Sequence, residues 1–188
     1  MRSIRRLVAG IRRLTAPTPC DPVPSFRYAG IPDLPHLVHL ERNSDQDDVW
    51  SPREFQLLLS SWKHRLIVME YEGTMFGYLA FQTQKACNVL LAVVVRKDAQ
   101  RRGIGRALVE SLKTLPDEEC RRPNVIVMVR ESHLGFQLFL KNAGFRYVDT
   151  EPEFFDCPPE DAYRFEWFAA HGDTVPMISA ENAGKENT

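Results

Sequence analysis

Seven consecutive residues, Gln100-Arg101-Arg102-Gly103-Ile104-Gly105-Arg106, carry the most specific chemistry in this chain. They lie between an apolar run and a stretch of helical periodicity that begins at Gly103. Glycines let backbone N–H groups converge on one point, and a helix N-terminus adds unsatisfied donors and the positive end of its dipole. Phosphate or pyrophosphate oxygens fit such a cradle. Between Arg96 and Arg106 five basic residues stand against one acid, Asp98, a local excess suited to a multiply charged phosphate ligand. The dinucleotide fingerprint needs a small residue where Leu108 stands and an acid about 20 residues on, and this chain meets neither requirement. A P-loop is excluded because no Gly-Lys-Ser/Thr triplet occurs. The bland alternative is a tight strand-to-helix connection that holds no ligand.

Other reactive side chains are sparse in pattern. Cys20, Cys87, Cys120 and Cys157 make no C-x-x-C pair and no zinc spacing, so they read as free thiols in a reducing, cytoplasmic setting. His36 and His39 stand three apart without a third ligand nearby, and no metal site is expected.

The elements that must position the glycine turn follow from periodicity and punctuation. After a short strand at 26–28, residues 33–42 have helical spacing. Ser51 as N-cap, Pro52 at the first helical position and Glu54 as the partner of a capping box start a second helix running to about Ser61. Apolar runs at 64–71 and 75–83, joined by Glu72 and Gly73, read as a hairpin. A buried strand at 88–96 precedes the glycine turn, and a helix over 103–115 follows it, stopped by Pro116. Then come a strand at 124–130 and a helix at 134–143, with Leu134, Leu138 and Phe139 expected to face inward and Gly144 as its cap. Strands at 145–148 and 163–168 flank a Pro- and acid-rich stretch. This order fits an α/β (α+β) fold, one mixed, mostly antiparallel sheet with helices on both faces.

Length and composition agree with a single domain. The chain has 188 residues, 44% hydrophobic and 26% charged, with 24 basic and 25 acidic residues. Such balance excludes a general polyanion binder, and no nucleic-acid partner is expected. The longest apolar run, 89–95, is far too short to span a bilayer. Residues 1–24 form a basic segment and linker: five arginines and no acid over 1–20, apolar residues at helical spacing, then Pro17, Pro19, Pro22 and Pro24. That segment suits an anionic membrane surface, a ribosome contact or an organelle presequence, and a frayed tail is the bland reading. The domain is expected over 25–171, and the polar, aperiodic residues 172–188 read as a disordered tail.

The pattern Q-x-x-G-x-G after an apolar strand and before a helix resembles the acetyl-CoA-binding motif of the GCN5-related N-acetyltransferases (GNAT). DDVWSPREF resembles the first-helix region of the branch that acetylates ribosomal-protein N-termini. VRESHLGFQLFLKNAGFR resembles its second motif, and EFFDCPPEDAYRF its last hairpin, so the likeness covers residues 26–168. The resemblance implies that Val93, Val94 and Val95 offer backbone groups to the pantetheine arm of acetyl-CoA at a splay between two parallel strands. It also implies that Arg101, Arg102, Gly103, Ile104, Gly105 and Arg106 wrap the pyrophosphate. His133 stands where the family usually has an Asn touching the cofactor arm, and an imidazole can still donate a hydrogen bond.

The proton-transfer and peptide-holding positions depart from that pattern. Where the branch carries a Glu as general base and a Tyr that protonates the departing thiolate, this chain has Met128 and Leu140, neither of which can move a proton. Paired tyrosines that hold a peptide in related sequences are Phe154 and Phe155 here. An α-amine (reference pKa about 7.7–8.0) is easier to neutralise than a lysine (about 10.4) by about 3.5 kcal/mol. A site without a strong base therefore suits an α-amine, with positioning and thioester polarisation supplying the rest. The acids Asp149, Glu151, Glu153, Asp156, Glu160 and Asp161 stand in the hairpin that borders the family's acceptor groove and suit a cationic acceptor; a solvated acidic loop is the bland reading. The expectation is an N-acetyltransferase for a protein N-terminal amine. A small-amine acetyltransferase and a catalytically silent CoA-binding module are the alternatives.

Overall fold

The computed structural model of the chain describes residues 24–44, 49–114 and 124–169. The expectations for the basic leader, for Cys20, Cys120 and Pro116, and for the C-terminal tail lie outside the described residues.

Local signals account for the elements. β1 (Ser25–Tyr28) leads into a short 3-10 turn, Ile31–Asp33, and then α1 (Leu34–Arg42). The Asp33 carboxylate accepts the Gly30 N–H at 2.8 Å and both terminal nitrogens of Arg27 at 2.8 and 2.7 Å. These bonds hold the Asp33 carboxyl below its usual range, the Arg27 side chain contributing most. α2 (Pro52–Ser60) begins with the expected capping box: Ser51 Oγ accepts the Glu54 N–H at 3.3 Å, and Glu54 accepts the Ser51 N–H at 2.7 Å. β2 (His64–Tyr71) and β3 (Thr74–Thr83) join through Glu72 and Gly73, both at positive φ, as a two-residue hairpin turn requires. β4 (Cys87–Val95), α3 (Ile104–Lys113), β5 (Asn124–Arg130), α4 (Leu134–Asn142), β6 (Arg146–Asp156) and β7 (Pro159–Trp167) complete the chain order.

The seven strands form one sheet in the order β1-β2-β3-β4-β5-β7-β6. Every neighbouring pair is antiparallel except β4 and β5. The larger core unites α3 and α4 with one face of the sheet through Leu108, Leu112, Leu140, Val127 and Phe165. On the opposite face α1 and α2 bury Leu37, Leu40 and Phe55 against Val68, Tyr78 and Val94. No residue of β5, β6 or β7 joins that second core. Along β5 buried and half-buried positions alternate strictly, so among the described residues its second face, with β7 and β6, has no helix over it.

Two expectations change. Leu134 and Leu138 are 61% and 52% exposed, whereas Leu140 is fully buried and Phe139 half-buried. The inward face of α4 is therefore rotated toward Leu140 and Ala143, which meet the sheet that the helix must cover. The acid-rich stretch before β7 is also not an independent loop, since Asp149, Glu151 and Phe155 pair with Arg164, Ala162 and Glu160 as rungs of the β6–β7 ladder. Two register shifts interrupt that ladder. Such bulges absorb the irregular spacing that hides the strand in the sequence.

Candidate active site

The parallel ladder between β4 and β5 runs from Cys87↔Asn124 to Leu90↔Val127 and stops. Leu91 causes the break. β3 pairs Phe81 with Leu90 and Ala80 with Ala92, leaving Leu91 as an extra residue bulged out of the ladder and 40% exposed. A bulge bends its strand and adds twist. Beyond it Val93, Val94 and Val95 follow β3 while Met128, Val129 and Arg130 follow β7. The two strands thus diverge where the sequence places Val93 to Val95, opening a wedge in the middle of the sheet. Strand ends at such a divergence are favoured binding places in α/β proteins.

At the end of β4 the chain makes the 3-10 turn Lys97–Ala99 and enters the glycine turn. Arg101 has φ 61° and Gly103 φ 84°, two left-handed residues that turn the backbone sharply into α3. A non-glycine residue in that region is uncommon and carries backbone strain. Unlike α2, α3 has no side-chain cap and no acid in its first turn, so its first N–H groups have no side-chain acceptor in reach. Arg101, Arg102 and Arg106 are exposed around them. These features fit the phosphates of a CoA ester: donors from the helix start, a dipole of the right sign, and guanidinium groups to pair with each phosphate. Ile104 is buried beneath the turn as an anchor. Of the five basic residues between positions 96 and 106, Arg96 is committed elsewhere, to Asp98 at 2.5 Å and to the face of Phe76 at 4.2 Å.

Gly105 and Gly77 set the depth of the wedge. A Cβ on Gly105 would lie 3.5 Å from Phe139 and 3.7 Å from Val95, so α3, α4 and the end of β4 converge there. A Cβ on Gly77 would lie 2.6 Å from the Val94 carbonyl oxygen and 3.3 Å from Leu108. Only glycine lets α3 and β4 come this close to β3. His133 is the exposed N-cap of α4, with no capping bond from its side chain and its ring over Phe136 at 5.6 Å.

On the other side of the wedge lies the uncovered face of β5 and β7. A buried cluster walls it off: Glu41 accepts the Tyr78 hydroxyl and the Trp50 N–H, the latter at 3.0 Å, and Trp50 packs against Phe55 and Tyr78. Burial first, and then the Glu41 charge, drives the Tyr78 hydroxyl far above its ordinary range, so it stays protonated. Because Tyr78 is the cross-strand partner of Val94, this cluster fixes the chain before α2 beside the wedge. The opposite wall is the β6–β7 hairpin tip, which Arg130 pins at the end of β5. Its guanidinium donates to the Pro158 and Cys157 carbonyls at 3.1 and 3.2 Å and covers the Phe155 ring at 4.2 Å. Glu160 accepts from Arg130 at 3.3 Å and from the Ser132 N–H at 2.5 Å. Hydrogen bonds from Ser132, then from Arg130, hold the Glu160 carboxyl below the usual carboxylate range.

Comparison with known proteins agrees with this geometry. Residues 34–145 match the acetyltransferase (GNAT) family. The chain belongs to that family. An uncharacterized N-acetyltransferase of Bacillus subtilis, YfmK, is 25% identical over 126 residues, covering 63% of this chain and 84% of that protein. Among solved structures, the ribosomal-protein-S18-alanine N-acetyltransferase of Escherichia coli superposes with a TM-score of 0.65 at 20% identity, covering 81% of this chain and 98% of that one. Arabidopsis thaliana NAA60 in complex with acetyl-CoA gives 0.65 at 17% identity, covering 78% and 99%. As a GNAT protein the chain is an acetyl-CoA-dependent acyltransferase, with acetyl-CoA as cosubstrate.

Against the GNAT pattern, the residues named from sequence divide in two. Val93 to Val95, the turn 101–106 and the start of α4 at His133 border one wedge, with Val93 and Val95 facing α3 and α4 and Val94 facing α1 and α2. Met128 is half-buried on the opposite, uncovered face, next to the divergence. Leu140 is fully enclosed in the larger core and has no access to the wedge. Sequence reading missed three groups: the buried Glu41, the Arg130–Glu160 clamp, and Arg164. Glu41 gave no signal because a Glu inside an amphipathic helix ordinarily faces water. Arg130 and Glu160 are 30 positions apart and meet only through the hairpin.

Proposed function

We propose that this GNAT protein acetylates the N-terminal α-amine of a protein or peptide by direct attack on acetyl-CoA, without a covalent enzyme intermediate. The observation that carries this reading is the wedge beside Met128, with a phosphate cradle on one face of the sheet and an uncovered groove on the other. Pantetheine would lie against Val93, Val94 and Val95 and the pyrophosphate against residues 101–106, bringing the thioester to the divergence. His133 would lie beside the arm. The amine would enter from the uncovered face between the Trp50 wall and the hairpin tip.

The chemistry follows from what the groove lacks. Met128, standing where the family pattern carries its general base, cannot accept a proton. At pH 7 roughly a tenth of an α-amine is already neutral, against a far smaller share of a lysine. Attack by the neutral amine forms the tetrahedral intermediate; its collapse breaks the C–S bond, and the ammonium proton passes through water to the departing thiolate. Positioning of the two reactants at the divergence then supplies most of the acceleration. Exposed Phe154 and half-buried Phe155 line the hairpin wall and can pack on the peptide without hydroxyl contacts. Free Cys87 and Cys157 fit a reducing, cytoplasmic setting.

Two measurements test the reading together. Calorimetric titration with acetyl-CoA is expected to show binding, and a library of peptides with free N-termini is expected to be acetylated at the α-amine and not at lysine. Turnover confined to polyamines or other small amines moves the protein to the small-molecule class, and binding without any turnover makes it a silent CoA module.

A further inference from the structure

Arg164 lies in the middle of β7 on the uncovered face. Its cross-strand partner on β5 is Met128, the first residue past the β4–β5 ladder, and its partner on β6 is Asp149. Directly opposed residues on one sheet face have Cβ atoms about 5 Å apart, so the guanidinium stem begins beside the point where the amine must react. That surrounding is apolar on the β5 side, where Ile126 and Met128 are half-buried. Arg164 is itself incompletely satisfied. Its Nε is buried and has no hydrogen bond, and its nearest charged contact is Glu166 at 3.3 Å, while a third of the side chain remains exposed. An arginine is costly to desolvate and is normally saturated with acceptors. One held on a half-covered groove floor, with a single loose partner, has donors left for a ligand.

We propose that Arg164 is a specificity-determining residue, which binds a carboxylate carried by the acceptor a few bonds from its reacting amine. Resting on the N-terminal reading above, this names the class: peptides with Asp or Glu at the second or third residue. The geometry of recognition is that of guanidinium and carboxylate, planar and two-pronged, strengthened by the partly dry floor. Asp149 and Glu151 on the neighbouring strand attract the ammonium end, while Arg164 takes the carboxylate.

The test uses full-length protein and matched peptides differing only as Asp against Asn, or Glu against Gln, at residues two and three. Wild-type kcat/KM is expected to favour the acidic member by about tenfold or more. Arg164→Gln is expected to bring that ratio close to one by slowing the acidic member selectively, with acetyl-CoA affinity retained. Arg164→Glu is expected to shift preference toward Lys at the same positions. Peptide acetylation with equal wild-type rates on acidic and neutral members overturns the assignment, and this ratio decides even where an Arg164 variant fails to fold. An unchanged acidic preference in folded Arg164→Gln also overturns it. Acetylation of free acidic amino acids alone, lost in Arg164→Gln, sinks the N-terminal reading and upholds Arg164 as the carboxylate site. Absence of turnover on every amine sinks both.

Discussion

Single side chains at this site matter through what they fix in place, and the clearest case is Glu160. Its carboxylate joins the hairpin tip to the Ser132 N–H and the Arg130 guanidinium. A carboxylate whose folded-state pKa is lowered stabilises the native state above its unfolded value of about 4.3, and that contribution disappears as pH falls through the lowered value. The hairpin wall should therefore stay anchored throughout the neutral range and loosen only in acid. Glu160→Gln reproduces the loosened wall at pH 7. Losing those charged hydrogen bonds should raise acceptor KM several-fold, with acetyl-CoA affinity unmoved because the turn 101–106 lies across the sheet. Equal losses in cofactor and acceptor binding, read by titration and steady-state kinetics, would show that Glu160 supports the whole domain instead.

At the scale of elements, glycine decides how closely strands and helices approach the wedge. Gly103 and Gly77 make opposite demands. Gly103 has open space around a would-be Cβ but a φ of 84°, so Gly103→Ala should cost about 1–2 kcal/mol of left-handed strain and misdirect the N–H groups that start α3. Gly77 has an ordinary backbone, yet its Cβ would lie 2.6 Å from the Val94 carbonyl. Backbone must shift to accommodate it, so Gly77→Ala should destabilise by more than Gly103→Ala and disturb the β3–β4 register. Urea unfolding of both variants, with acetyl-CoA titration of whichever remains folded, measures the two effects separately. Opposite ranking of their stabilities would refute the steric account.

Across the whole molecule the sheet separates two chemistries. The face under α3 and α4 presents exposed arginines at a helix start, and the face beyond α1 and α2 leaves β5 to β7 open between two walls. A ligand that binds only the folded state stabilises it by about 2.7 kcal/mol when present at roughly 100 times its dissociation constant. For a chain of this size that corresponds to a melting shift of roughly 5–10 °C. Acetyl-CoA should produce such a shift, and replacing Arg101, Arg102 and Arg106 together by Gln should largely abolish it. An unaltered shift would place the phosphates elsewhere.

Much of this was legible in the order of residues. Capping at Ser51 and Glu54, the Glu72-Gly73 turn, the glycine turn and the Gly144 stop are local, since each is set by neighbours within about four positions whose hydrogen bonds and φ values depend on residue type alone. The uncapped, arginine-flanked start of α3 was readable for the same reason. Tertiary structure alone decided which face of α4 turns inward, because Leu134 and Leu138 compete with Leu140 and Ala143 and only the sheet beneath selects the winner. It alone revealed the acid-rich stretch as a bulged strand, whose rungs come from a partner and not from its own alternation. Arg164 reads in sequence as one more surface charge on an alternating strand. Its place beside Met128 exists only because β7 runs antiparallel to β5 at the point where β4 departs, and such long-range register cannot be read from local residue types.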